Sequence, residues 1–169
     1  MNCRRVHILG GSGSGKSHVA RKLADAYGIE VLDLDTIFWD NASGEYNRRA
    51  DDETRDRALK EFINRDAWIV EGVYHTWLTP SFRAADVIII LATPVWLRQW
   101  RIVRRFAARK MGLAPAKGNE TLASLWGLLR WNRAYDGDNL ARARAMIAGL
   151  GLSAVECASL SEVMKAMGE

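Results

Sequence analysis

The stretch HILGGSGSGKSHVARKLADAYG, from His7 to Gly28, sets four glycines within six residues between an apolar run and a helical pattern. Gly10 to Ser17 fits G-x-x-x-x-G-K-[ST]. The motif carries meaning only between a strand and a helix, and both are expected here. Arg5–Leu9 is short and β-branched, while Gly15–Tyr27 is amphipathic and closed by Gly28. Glycines accept positive φ, which lets successive backbone N–H groups curl into an anion nest, and the helix start adds the positive end of its dipole. A phosphate-binding loop is therefore expected, with Gly10, Gly11, Ser12, Gly13, Ser14, Gly15, Lys16, Ser17 and His18 around the phosphates. Lys16 is its mobile cation for the β- and γ-phosphates, and the Ser17 hydroxyl is placed to hold Mg²⁺. The bland alternative is a flexible glycine turn.

Outward from the loop, strand and helix patterns alternate. Glu30–Leu34, Ala67–Val70, Asp86–Leu91 and Ser153–Cys157 read as further strands. Asp51–Asn64, Val95–Lys110, Leu122–Gly149 and a last segment from Leu160 read as helices. Five strands alternating with helices imply a parallel α/β sheet covered on both faces. A chain of 169 residues suits one domain spanning residues 1–169. Gly112–Asn119 is the weak point, a mobile loop by composition.

Hydrophobic residues make up 49% and charged ones 26%, and no apolar run approaches the roughly 18 residues that cross a bilayer. The N-terminus runs straight into the first strand with no signal-peptide core, so a cytoplasmic protein without membrane partners is expected. Cys3 and Cys157 stand far apart without metal-ligand spacing, which argues against a zinc site or a disulfide framework. The net charge of +4 favours anionic partners without choosing among nucleotide, sugar phosphate and nucleic acid.

Chemistry-bearing side chains gather at the predicted strand ends. Asp33 and Asp35, two apart, would project on one face of the second strand into the crevice where open α/β sheets bind ligands. Asp35 can alternatively cap a following helix. Glu71 closes the run Trp68–Val70, placed for metal-bound water or, alternatively, for a surface arginine. At about 100° per residue, Arg98, Arg101, Arg105 and Arg109 share one stripe and Trp96, Trp100, Val103 and Ala107 the opposite one. The arginines form either a solvated face or a lid that closes over a transferring phosphoryl group, with Arg101 and Arg105 central. Trp126 and Trp131 read as core packing. Of the histidines, His7, His18 and His75, only His75 is expected near Glu71.

The loop, Asp33-x-Asp35, Trp68-Ile69-Val70-Glu71-Gly72 and the arginine helix together resemble the adenylate kinase-like P-loop small kinases. LDLDTIFW (Leu32–Trp39) and WIVEGVY (Trp68–Tyr74) are most similar to the branch often labelled topology-modulation proteins. The resemblance implies a three-layer P-loop NTPase sandwich, a sheet of order 2-3-1-4-5, a helical lid over about residues 95–122, and ATP with Mg²⁺. It implies γ-phosphoryl transfer to a small acceptor, either a nucleoside monophosphate or a hydroxyl metabolite. Asp33 and Asp35 resemble the paired aspartates of shikimate and gluconate kinase relatives, the first near the metal and the second near the accepting hydroxyl. Glu71 stands where a Walker-B carboxylate would. Lys16, Asp33, Asp35, Arg101 and Arg105 are thus the catalytic candidates, and Ser17, Asp33 and Glu71 the metal candidates.

Departures from the family pattern count too. Asp35-Thr36-Ile37-Phe38-Trp39 replaces the Thr-Gly-Asp-x-x-Arg stretch of adenylate kinases, and Glu71-Gly72-Val73-Tyr74-His75 replaces Asp-Gly-Phe-Pro-Arg. Two acceptor-binding arginines are missing from their expected places, which weighs against AMP. No cysteine quartet exists for a zinc-bearing lid. The alternative function is a nucleotide-dependent regulator that binds nucleic acid through Arg98–Lys110, although no DNA-reading motif accompanies that helix.

Overall fold

Short β-branched runs that are apolar on both faces need helices above and below them. The computed structural model, which describes residues 3–40, 48–114 and 121–168, has that architecture. Strands β1 (Arg5–Leu9), β2 (Val31–Asp33), β3 (Trp68–Gly72), β4 (Val87–Leu91) and β5 (Ala154–Cys157) form one sheet of order β2-β3-β1-β4-β5, parallel throughout. The order is the expected one. The helices are α1 (Lys16–Tyr27), α2 (Leu34–Phe38), α3 (Asp52–Ile63), α4 (Thr79–Ala84), α5 (Val95–Lys110), α6 (Leu122–Ala134), α7 (Ala141–Gly149) and α8 (Leu160–Ala166).

Alternation along each strand sorts the core into two layers. Val6, Ile8, Ile69, Ile89 and Leu91 pack with Val19 and Leu23 of α1 and Val163 of α8. Trp68, Val70, Ile88 and Ile90 pack on the other face with Leu59 and Phe62 of α3, Phe82 of α4 and Ile147 of α7. Central β1 is paired on both sides, with Leu9 opposite Gly72 and Ile90. The chain leaving β1 therefore emerges at the middle of the sheet's carboxyl edge, where a crevice can form.

Four expectations need correction. The second strand ends at Asp33, not Leu34, because the Asp33 side chain accepts the Asp35 N–H at 2.9 Å and starts α2. Helices α2 and α4 went unread, since five and six residues are too few to display a helical period. The long helix expected over Leu122–Gly149 is interrupted by a π turn, Asp136–Leu140, in which the Leu140 N–H reaches back to the Tyr135 carbonyl at 2.9 Å. Asp, Gly and Asn, all weak helix formers, fill that turn. Trp126 and Trp131 are not core: they are 71% and 36% exposed. The apolar stripe of α5 also faces outward, with Trp96, Trp100 and Val103 exposed. Of the loop expected over Gly112–Asn119, residues 115–119 lie outside the described residues. Among the described residues no helix is long and apolar enough to cross a membrane.

Candidate functional site

The glycine loop joins β1 to α1. Gly13 and Gly15 take φ of 79° and 101°, left-handed values that a side chain resists, and Gly15 is the N-cap of α1. The Ser14 N–H closes the turn on the Gly11 carbonyl at 3.1 Å. Gly10 and Gly11 are small for another reason, since neither has positive φ. A Cβ on Gly11 would lie 2.6 Å from Arg98 Nη1 and 2.9 Å from Asn132 Oδ1, and one on Gly10 would lie 2.7 Å from Ser14 Oγ. Gly15 serves conformation, Gly10 and Gly11 serve close packing, and Gly13 serves both, since a Cβ there would lie 2.6 Å from the Arg98 carbonyl oxygen.

At the head of α1, Lys16 is buried, with Nζ 3.4 Å from the Gly11 carbonyl and 4.0 Å from Glu71 Oε2. Burial pushes the Lys16 ammonium below its ordinary pKa, while the charges of Glu71, Asp35 and Asp33 hold it up. Burial pushes the Glu71 carboxyl upward, and Lys16 and the Ser17 hydroxyl oppose that. Ser17 Oγ donates to Glu71 Oε1 at 2.5 Å. Glu71, 2% exposed at the end of β3, therefore faces the loop and not a surface arginine. His18 is exposed one residue further into α1.

Asp33 and Asp35 reach the site by a different route from the one expected. They do not share a strand face: Asp33 ends β2 and caps α2, and Asp35 sits in the first turn of α2. The cap is thus Asp33, not Asp35. Leu34 between them is fully buried, its side chain so tight on Gly72 that a Cβ there would lie 2.7 Å from Leu34 Cδ1. That contact seats α2 on the end of β3. Asp35 Oδ1 accepts from the Tyr74 hydroxyl at 2.7 Å, and the Tyr74 ring stacks on Phe38 at 4.3 Å. Burial, and then the Asp35 charge, keep the Tyr74 hydroxyl protonated far above its ordinary range, so it is a permanent donor.

The arginine stripe divides in two. Arg98 is 1% exposed and pairs with Asp136 at 2.7 and 2.9 Å, so it is not a lid arginine. Arg101 Nη1 donates to the carbonyls of Gly13 and Ser14, both at 3.1 Å, and Thr93 Oγ1 donates to Ser14 at 2.9 Å. These three bonds hold the carbonyls of Gly13 and Ser14 from the side of α5 and the end of β4. Arg105 is exposed, and its charge bears on Lys16. His75 is buried, and the charges that bear on it are Arg142 and Asp138.

The loop amides and Lys16 suit a polyphosphate. Ser17 with Glu71 offers a hydroxyl and a carboxylate to Mg²⁺, which ordinarily takes one or two protein groups and fills its sphere with phosphate oxygens and water. Asp33 has one oxygen committed to its cap. Among the described residues there is no group of three or more His, Cys, Asp or Glu side chains that could hold a metal by itself.

A curated cytidylate kinase from Aeropyrum pernix is 30% identical over 109 residues, which span 58% of this chain and 62% of that protein. The solved shikimate kinase from Acinetobacter baumannii, in complex with shikimate, superposes with a TM-score of 0.57 at 20% identity, over 98% of this chain and 91% of that one. The fold is that of the P-loop kinases. No family model matches the chain. In this P-loop kinase fold the crevice outside β1, β2 and β3 brings together Lys16, Ser17, Glu71, Asp33 and Asp35, with Arg105 above. Sequence reading missed Tyr74 and Thr93. Neither carries a spacing signal: each finds its partner only through the fold, Tyr74 at Asp35 and Thr93 at the Ser14 carbonyl.

Proposed function

We propose that the chain is an ATP-dependent phosphotransferase that moves the γ-phosphoryl group of Mg-ATP to a hydroxyl of a small acceptor. The carrying observation is the convergence of carboxylates on the loop: Asp33 stands in register with Glu71, whose carboxylate meets Lys16 and Ser17, and the charges of Asp35 and Asp33 both bear on Lys16. The loop amides and Lys16 bind and orient the β- and γ-phosphates; Ser17 and Glu71 hold Mg²⁺, which when bound neutralises charge on those phosphates. Asp35, with Oδ1 held by Tyr74, presents its other oxygen to the acceptor O–H and takes the proton as the oxygen–phosphorus bond forms and the β–γ bridge breaks, releasing ADP. Arg105, whose charge bears on Lys16, is the lid cation assigned to the transferring group, while Arg101 acts through the loop it holds.

A monophosphate acceptor would bring a dianion beside two carboxylates, so a neutral hydroxyl is the better fit. The motifs at Leu32–Trp39 and Trp68–Tyr74 support a member of the topology-modulation branch. The nucleic-acid alternative is weakened because two of its four arginines, Arg98 and Arg101, are spent on the protein itself. The test is a screen of nucleoside monophosphates, small polyols and sugar acids for acceptor-dependent ADP release. Release with hydroxyl compounds alone is expected. Release driven by a monophosphate would reverse the acceptor assignment.

A further inference from the structure

Arg98 is the one stripe arginine wholly withdrawn from the crevice, yet it lies against the glycine loop. Its guanidinium is pinned by a two-pronged pair to Asp136, with a further bond from Nη2 to the Asn132 carbonyl at 3.3 Å. From there Nη1 fills the space that a side chain on Gly11 would need, 2.6 Å from that virtual Cβ. Its own backbone carbonyl does the same at Gly13, again at 2.6 Å. One residue thus abuts the loop at two points on its outer curve, on either side of Ser12. Thr93 and Arg101 grip the next carbonyls along.

We propose that Arg98 is a positioning residue that, fixed by Asp136, braces the outer curve of the glycine loop and keeps its amides turned inward before any nucleotide arrives. The proposal rests on the reading of that loop as a nucleotide site. A loop of glycines has many conformations to lose, and ordering it at the moment of binding would weaken affinity. A rigid arginine pressed against its back removes those alternatives in advance. A planar, two-pronged guanidinium can be fixed in this way, whereas a flexible ammonium cannot. The bond from the Ser14 N–H to the Gly11 carbonyl reports directly on the braced shape.

Two measurements on the full chain test this. Arg98→Met retains bulk, and it leaves Asp136, whose side chain is 42% exposed, in contact with water, so the variant should fold. In the ligand-free chain its Ser14 amide should exchange with solvent at least tenfold faster than in the parent, with the β1 amides unchanged. Its Mg-ATP dissociation constant should rise tenfold or more. Arg98→Lys, which keeps the charge but not the fork, should behave in the same direction, and it substitutes should Arg98→Met fail to fold. A folded variant whose Ser14 exchange is unchanged overturns the brace. So does one whose loop loosens while Mg-ATP affinity stays within twofold. A parent chain that binds no Mg-ATP would sink the nucleotide reading instead, and the exchange measurement would still decide whether Arg98 braces the loop.

Discussion

Lys16 and Asp35 divide the proposed chemistry between them, and single substitutions separate the halves. Lys16→Ala leaves the loop amides in place but removes the cation for the phosphates, so Mg-ATP turnover should fall on the order of 10²-fold or more in a folded chain. Removing that ammonium also takes away one of the influences that hold the Glu71 carboxyl down, so this already raised group should move further up. Asp35→Asn should abolish transfer to the acceptor with Mg-ATP affinity retained, as measured by calorimetric titration; equal loss of affinity would put Asp35 in the metal's shell. Tyr74→Phe keeps the stack on Phe38 and deletes only the hydroxyl that holds Asp35 Oδ1. Transfer should drop by about 10- to 100-fold while Mg-ATP binding is unchanged. Unaltered transfer would show that Asp35 needs no such partner.

Elements with a full period of pattern were readable, and those whose shape depends on distant contacts were not. β1 and α5 have the bounds expected, because a short run built on Val6, Ile8 and Leu9 and four turns of helix each carry their own signal. α2 carries none: a three-residue strand ends where the Asp33 carboxylate turns back on an amide, and Leu34 then locks the turn on Gly72. The same holds within the candidate site. Lys16, Ser17 and Glu71 were legible from motif and strand end. The withdrawal of Arg98 was not, since its partner Asp136 lies 38 residues away. Amphipathicity alone does not sort α5: the tryptophans face water, and of the arginine stripe Arg98 is buried, Arg101 half-buried and Arg105 exposed. Local caps are simpler to price. Asp51 accepts from the N–H groups of Glu53 and Thr54 at the start of α3. Asp51→Ala should lower the urea midpoint of unfolding without changing Mg-ATP affinity.

For the whole molecule, the buried centre of β1 sets a dependence on pH. His7 is fully buried beside Ser81 Oγ at 2.8 Å, and burial lowers its pKa to about 3. Above the ordinary histidine value both folded and unfolded chains are neutral there, and nothing is linked. Between about 6.5 and 3 the unfolded chain takes up a proton that the folded chain refuses, so stability should fall by about 1.4 kcal/mol per pH unit as pH drops. His7→Gln should flatten that slope in urea midpoints measured from pH 7 to pH 4; an equally steep slope in the variant would assign the loss to other groups.

The π turn has a geometric consequence of its own. Each helical residue advances the side chains by about 100°, so one extra residue in a turn works like a slipped gear tooth and re-clocks everything after it. Upstream, α6 shows α5 the face that carries Asn132; downstream, α7 shows the sheet Ala143 and Ile147. An uninterrupted helix through the same points would hold those two faces in one fixed phase. The slip at Asp136–Leu140 resets that phase, so the same run of helix can turn one face to α5 before the slip and a differently clocked face to the core after it.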